Sequence, residues 1–281
     1  MSRITTPLRR LFLFSLLMVG VVFWLPGCGG GGKKSAPPPP PPAITASPGY
    51  FDVINTLSGG DVYSDTGNTV SLHIADLRGM VYGNQFTLVS AANNLAYYAT
   101  LTSLSGNNYT ANVVIYQKNI PYGNTTLSGT LVAGTSLTGT FATTGTGLGK
   151  GTFQLDYSLA NSSPAAVSRI VRDSSTTLVN WRNVSAGATY YSTFQIFSSG
   201  VLQNAGPTIS GNFSLCNISG TVTPIPSTAL YQVIMTLASC STVTFNGTYT
   251  GLATSRKQTT IDDRLVVTVT SGMYSMNGEF Q

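Results

Sequence analysis

The chain has 281 residues, of which 42% are hydrophobic and only 8% charged, with a formal charge of +5. So little charge excludes long amphipathic helices, whose wet face is built from Lys, Glu and Arg. The positive excess lies in Arg3, Arg9, Arg10, Lys33 and Lys34, and from Ala43 onward nine basic residues face nine acidic ones, so the body is neutral and has no cationic footprint for nucleic acid.

Residues 1–27 read as a targeting segment. Arg3, Arg9 and Arg10 form a positive n-region, and Leu11 to Leu25 form an apolar run that ends at Pro26-Gly27. That run is shorter than the roughly 20 apolar residues a spanning helix needs, and two helix breakers close it, as in a cleavable signal peptide. Leu25-Pro26-Gly27-Cys28 follows the lipobox order of an aliphatic residue, two small residues and cysteine. On those residues the leader resembles that of bacterial lipoproteins. The resemblance implies a diacylglyceryl group and palmitate-type acylation on Cys28, with cleavage by signal peptidase II just before it. Pro26 departs from the usual small, unhindered residue. Several acyl chains, each CH₂ contributing about 0.8 kcal/mol, would hold the membrane firmly. Gly29 stands where an aspartate would favour inner-membrane retention, so the resemblance implies the outer membrane of a Gram-negative cell, with the body in the periplasm or at the surface.

Residues 28–46 then carry four glycines, Lys33-Lys34 and the six prolines Pro37 to Pro42. Such a stretch builds no core. It predicts a flexible spacer followed by a stiff polyproline II rod of about 3.1 Å per residue. A docking site for a proline-binding module is the weaker alternative.

Beyond the linker, alternating runs such as Tyr109 to Tyr116, Thr152 to Leu159 and Leu265 to Thr270 predict strands. Gly106-Asn107-Asn108, Tyr122-Gly123-Asn124, Gly145-Thr146-Gly147, Asn246-Gly247 and Ser271-Gly272 predict the turns of antiparallel hairpins. The pattern falls into two units, 47–160 and 165–281, separated by Asn161-Ser162-Ser163-Pro164. The expectation is an all-β protein of two small antiparallel β-barrel or β-sandwich units. Similar Gly-x-aromatic strand ends in both units give weak internal similarity. The Gly-punctuated meanders resemble lipid-anchored barrel lobes of Gram-negative surfaces, and the chain as a whole resembles β-rich proteobacterial outer-membrane lipoproteins without an established activity. That resemblance implies fold and location only. A membrane-spanning barrel is disfavoured because the strands look too short and irregular for repeated spans.

Cys216 and Cys240 remain once Cys28 is lipidated, and an even pair in an exported protein predicts a disulfide. The catalytic inventory is thin. His73 is the single histidine, and no Gly-x-Ser-x-Gly elbow accompanies it. Asp52, Asp61, Asp65 and Asp76 form the one acidic cluster; Asp61 to Asn68 reads as an Asx-rich loop, with loose calcium affinity as the alternative. Asp262-Asp263 beside Arg256-Lys257 and Arg264 reads as a solvated hairpin with offsetting charges. Gly145 to Gly151 resembles a phosphate loop, but Lys150 is followed by Gly151 and a strand where a Ser or Thr and a helix are required. No metal and no cofactor is expected. Trp181, Tyr190 and Tyr191 belong to the densest aromatic group and are the candidate lining of an apolar or sugar-binding surface. The sequence therefore points to a non-enzymatic envelope lipoprotein that binds a protein or apolar partner, with an envelope hydrolase of unrecognised site as the alternative.

Overall fold

In a computed structural model the described residues are 43–52, 60–63, 71–74, 76–141, 150–172, 180–184, 193–204, 216–257 and 262–281. Cys28, Tyr190 and Tyr191 lie outside them, as do Asp65 and Gly145-Thr146-Gly147. The described residues are β-structure throughout, broken by short 3₁₀ turns at Leu159–Asn161, Val167–Arg169 and Val243–Phe245. The expected all-β architecture of two barrel units is what the chain adopts.

The first barrel contains β1 (Ala46–Asp52), β2 (Gly60–Tyr63), β3 (Ser71–Ile74), β4 (Arg78–Gly83), β5 (Gln85–Ser90), β6 (Leu95–Ser105), β7 (Asn108–Gln117), β8 (Ile120–Val132), β9 (Ser136–Phe141) and β10 (Gly151–Tyr157). From β4 to β10 each strand pairs antiparallel with the next, β4 pairs with β1, and β1 closes the ring on β10 through Phe51 opposite Tyr157. The β2–β3 hairpin continues along the same edge of β10, with Asp61 opposite Thr152. A closed ring removes the unpaired edges on which sheets aggregate.

The second barrel contains β11 (Trp181–Arg182), β12 (Thr193–Ile196), β13 (Val201–Asn204), β14 (Asn217–Pro224), β15 (Leu230–Ala238), β16 (Gly247–Lys257), β17 (Asp262–Thr270) and β18 (Ser275–Phe280). These eight strands follow one another in sequence order. A bridge between Asn183 and Phe280 closes the ring, and Arg182 and Gln281 exchange backbone hydrogen bonds of 2.8 Å in both directions. The connection 158–172 folds back under this barrel: Ile170 is fully buried, and Tyr231 Oη donates to the Ala166 carbonyl at 3.0 Å.

Period-two alternation explains both interiors. In β7, Tyr109, Ala111, Val113 and Ile115 point inward with Phe86, Tyr97, Leu127, Phe141 and Phe153, whereas Thr110 and Asn112 face water beside Thr126 and Ser128 of β8. Trp181, Phe194, Tyr231, Tyr249, Val267 and Phe280 fill the second interior. Aromatic pairs set the packing, including Phe86 against Tyr109 at 5.3 Å and Phe194 against Phe280 at 4.8 Å between centroids. Filled apolar interiors with hydroxyl-rich outer walls are the reverse of a lipid-facing barrel wall.

One predicted turn is misplaced. Tyr122-Gly123-Asn124 runs inside β8, and the chain reverses earlier at Lys118-Asn119, where φ is 50° and 69°. A two-residue hairpin with positive φ at both positions matches the twist of the flanking strands. Asn119 tolerates that conformation, Lys118 adopts it without glycine's help, and a bulge between Ile115 and Tyr116 resets the register.

Candidate functional site

The two barrels belong to one compact unit, 42–281, and pack wall against wall. Their contact is built from outward-facing positions that strand alternation would otherwise give to water. On the first barrel these are Tyr50, Met80 and Val89; on the second, Leu252 and Val266, joined by Ile225 and Leu230. Each such side chain contributes about 1.5–3 kcal/mol when its apolar surface leaves water. Hydroxyls tie the flank of this seam. Thr268 Oγ1 donates to Tyr98 Oη at 2.6 Å, Thr270 Oγ1 to Tyr116 Oη at 3.1 Å, and Tyr116 Oη to the Gly272 carbonyl at 2.8 Å.

Charges close its other side. Arg78 Nη1 lies 3.1 Å from Glu279 Oε2 and its Nε 3.6 Å from Asp52 Oδ1. Arg256 Nη1 reaches Glu279 Oε1 at 3.1 Å and its Nε approaches Asp52 Oδ2 at 3.9 Å, as Arg264 Nε does Glu279 Oε1. Tyr50 Oη donates to Asp52 Oδ2 at 2.8 Å. Burial, reinforced by the Asp52 charge, holds the Tyr50 phenol neutral well above its ordinary range. Burial would lower the Arg78 pKa, but Tyr50, Glu279 and Asp52 more than offset this and hold the guanidinium charged. Arg256 and Arg264 are thus members of a shielded ion network, which corrects the reading of their hairpin as merely solvated. Their sequence neighbours gave no hint of it, because their partners come from β1 and β18.

The remaining expected residues separate. Cys216 and Cys240 form the predicted disulfide. Trp181 is buried in the second barrel, with its Nε1 donating to the Ile170 carbonyl at 2.9 Å and the Arg172 guanidinium 4.3 Å above its ring. Its indole is thus engaged in core packing and a cation–π contact. His73 pairs with Asp61 across the β2–β3 ladder. Asp76 accepts from Ser90 Oγ and from the Ala92 amide, so it orders the β5–β6 turn. Lys150 immediately precedes β10. Among the described residues no group of three or more His, Cys, Asp or Glu side chains is placed to hold a metal ion.

The seam residues escaped the sequence reading, although a signal was present. In Leu265-Val266-Val267-Thr268-Val269 both faces of the strand are apolar or hydroxyl-bearing, a mark of burial on two sides. Comparison with known proteins adds no identity: no family model, curated protein or solved structure matches the chain.

Proposed function

We propose that this is a lipid-anchored cell-envelope lipoprotein that acts as a non-enzymatic binding or structural module. The observation that carries the reading is the pairing of a lipobox at Cys28 with a Cys216–Cys240 disulfide in the body, since disulfides persist in oxidising compartments. The neutral hydroxyl-rich walls and aromatic-filled interiors suit a rigid scaffold presented at a membrane. Location in the outer membrane of a Gram-negative cell follows from Gly29 and belongs to the same proposal.

The test is Cys28→Ser in the full chain, followed by palmitate labelling and intact mass of the amino terminus. Loss of label with retention of the leader supports the anchor, and label on the variant refutes it. Incubating the purified protein with ester, glycoside and peptide substrates bears on the absence of catalysis; turnover abolished by His73→Ala or Asp76→Asn would favour the hydrolase.

A further inference from the structure

Three exposed apolar side chains stand on connections that share one end of the body. Ile120 follows the β7–β8 turn, Val243 lies in the β15–β16 connection and Met273 in the β17–β18 turn, and they are 54%, 71% and 68% exposed. Their shared location follows from contacts. The Ser275 amide donates to the Asn119 carbonyl at 3.1 Å, and Tyr116 Oη donates to the Gly272 carbonyl, which joins the β7–β8 turn of one barrel to the β17–β18 turn of the other. The Tyr274 ring meets the Phe245 ring edge-on at 4.8 Å, which joins that turn to the segment carrying Val243.

The three tips also share a charge pattern. Residues 118–121, 239–246 and 271–274 contain no carboxylate, and their one charged side chain is Lys118. The arms are held firmly: the disulfide ties Cys240 to the start of β14, and the Cys240 amide donates to Asn246 Oδ1 at 2.9 Å. Rigid arms lose little entropy on docking.

We infer that Ile120, Val243 and Met273, with Lys118 beside them, form a membrane-contacting ridge that inserts into the bilayer carrying the lipid on Cys28. The occupant follows from charge and from reach. The tips themselves carry a cation and no anion, and the Asp76 carboxylate of the neighbouring β5–β6 turn is taken up by Ser90 Oγ and the Ala92 amide. Such tips match an anionic interface, where apolar area and basic residues add. Ala46 pairs with Gly83 at the β4–β5 turn. The Lys118 amide donates to the Asn94 carbonyl at the β5–β6 turn, so the linker joins the body at the end opposite the ridge. The seventeen residues between Cys28 and Ala46 span about 55 Å at full extension. The longest strand among the described residues, β8 with 13 residues, rises about 43 Å. The linker therefore reaches the length of the body and allows anchor and ridge to engage one bilayer.

This inference rests on the proposed anchor, so its test reads the two separately. A fluorescent amino acid is placed at Met273, at Ile120, or at Ala133 in the far-end β8–β9 turn of the full chain. Each protein is reconstituted into phosphatidylethanolamine and phosphatidylglycerol vesicles containing acyl-brominated lipid. Intact mass records acylation, and flotation records vesicle association. The expected result for vesicle-bound protein is at least twofold quenching at 273 and 120, none at 133, and loss of quenching at 273 when Ile120→Ser and Val243→Ser are combined. Quenching at 273 and 120 no greater than at 133 overturns the ridge whatever the mass shows. Blue-shifted emission without quenching also overturns it, because the tips would then be covered by protein. An unacylated protein that is still quenched at 273 after addition to vesicles keeps the ridge and removes the anchor.

Discussion

Arg78 of the first barrel and Glu279 of the second meet across the seam at 3.1 Å, with 9% and 14% of their side chains exposed. Removing Arg78 takes the 3.1 Å contact from Glu279 and the 3.6 Å contact from Asp52, and leaves both shielded carboxylates to Arg256 and Arg264 alone. Arg78→Ala is expected to lower unfolding stability by about 3 kcal/mol. Urea denaturation followed by tryptophan fluorescence measures it, and an unchanged midpoint would show the network to be dispensable. The double variant Arg78→Met with Glu279→Leu is expected to be no more stable than Arg78→Ala, because Glu279 also holds Arg256 at 3.1 Å and Arg264 at 3.9 Å and both lose that carboxylate.

Gly129 and Gly139 face each other on β8 and β9. A Cβ at Gly129 would run into the Thr138 carbonyl and lie 2.8 Å from both Gly139 Cα and Tyr109 Oη. The obstacle is mostly backbone and has no rotamer to yield. Gly129→Ala is expected to cost about 2–3 kcal/mol, measured as a lower thermal midpoint. Gly134→Ala in the β8–β9 turn meets open space but sits at φ +65°. It is therefore expected to cost less, about 1–2 kcal/mol from placing an L side chain in the left-handed region.

The disulfide closes a loop of sequence separation 24. Cross-linking a loop of that size restricts the unfolded chain by about 3.5 kcal/mol in the chain-entropy account. The double variant Cys216→Ser, Cys240→Ser is expected to lose stability of that order by chemical denaturation. Alkylation of the native protein without reductant should leave both residues unmodified.

Tyr50, Tyr97 and Tyr109 are all held neutral above their ordinary range, chiefly by burial. Each folded-state pKa is raised, so the unfolded chain releases those protons first. The stability they contribute is therefore complete below about pH 10 and is lost as pH rises above it. Each such tyrosine steepens the loss by up to about 1.4 kcal/mol per pH unit. Absorbance titration near 295 nm should show a set of phenols that ionise only as the far-ultraviolet signal collapses. A single smooth titration of all tyrosines in folded protein would contradict their burial.

How the sequence conveyed the fold depended on the range of the interaction. Strands β7, β10 and β17 were legible because inward Tyr109, Ala111 and Val113 alternate with outward polar residues over a few positions. The Ser271-Gly272 turn was legible for the same local reason. The β7–β8 turn was misread because Gly123 is a stronger local signal than Lys118, and the twist of the hairpin, not residue preference, decided where the chain reversed. The ion network was illegible because Asp52, Arg78, Arg256 and Glu279 are brought together by barrel closure and wall contact. Trp181 stood out as an aromatic, but sequence carries no sign of whether such a ring faces a ligand or the Ile170 carbonyl.

The seam has a consequence for how the molecule can be divided. Met80 and Val89 on one wall, and Leu252 and Val266 on the other, are buried only while the second wall is present. Severed in the connection 158–172, each half would expose a greasy stripe on an otherwise hydroxyl-covered cylinder, with Arg78 and Glu279 left facing water. Two co-expressed fragments would recognise each other through that stripe and its charges. The chain is then a natural pair for split-protein complementation, with reassembly reporting that both cylinders have formed.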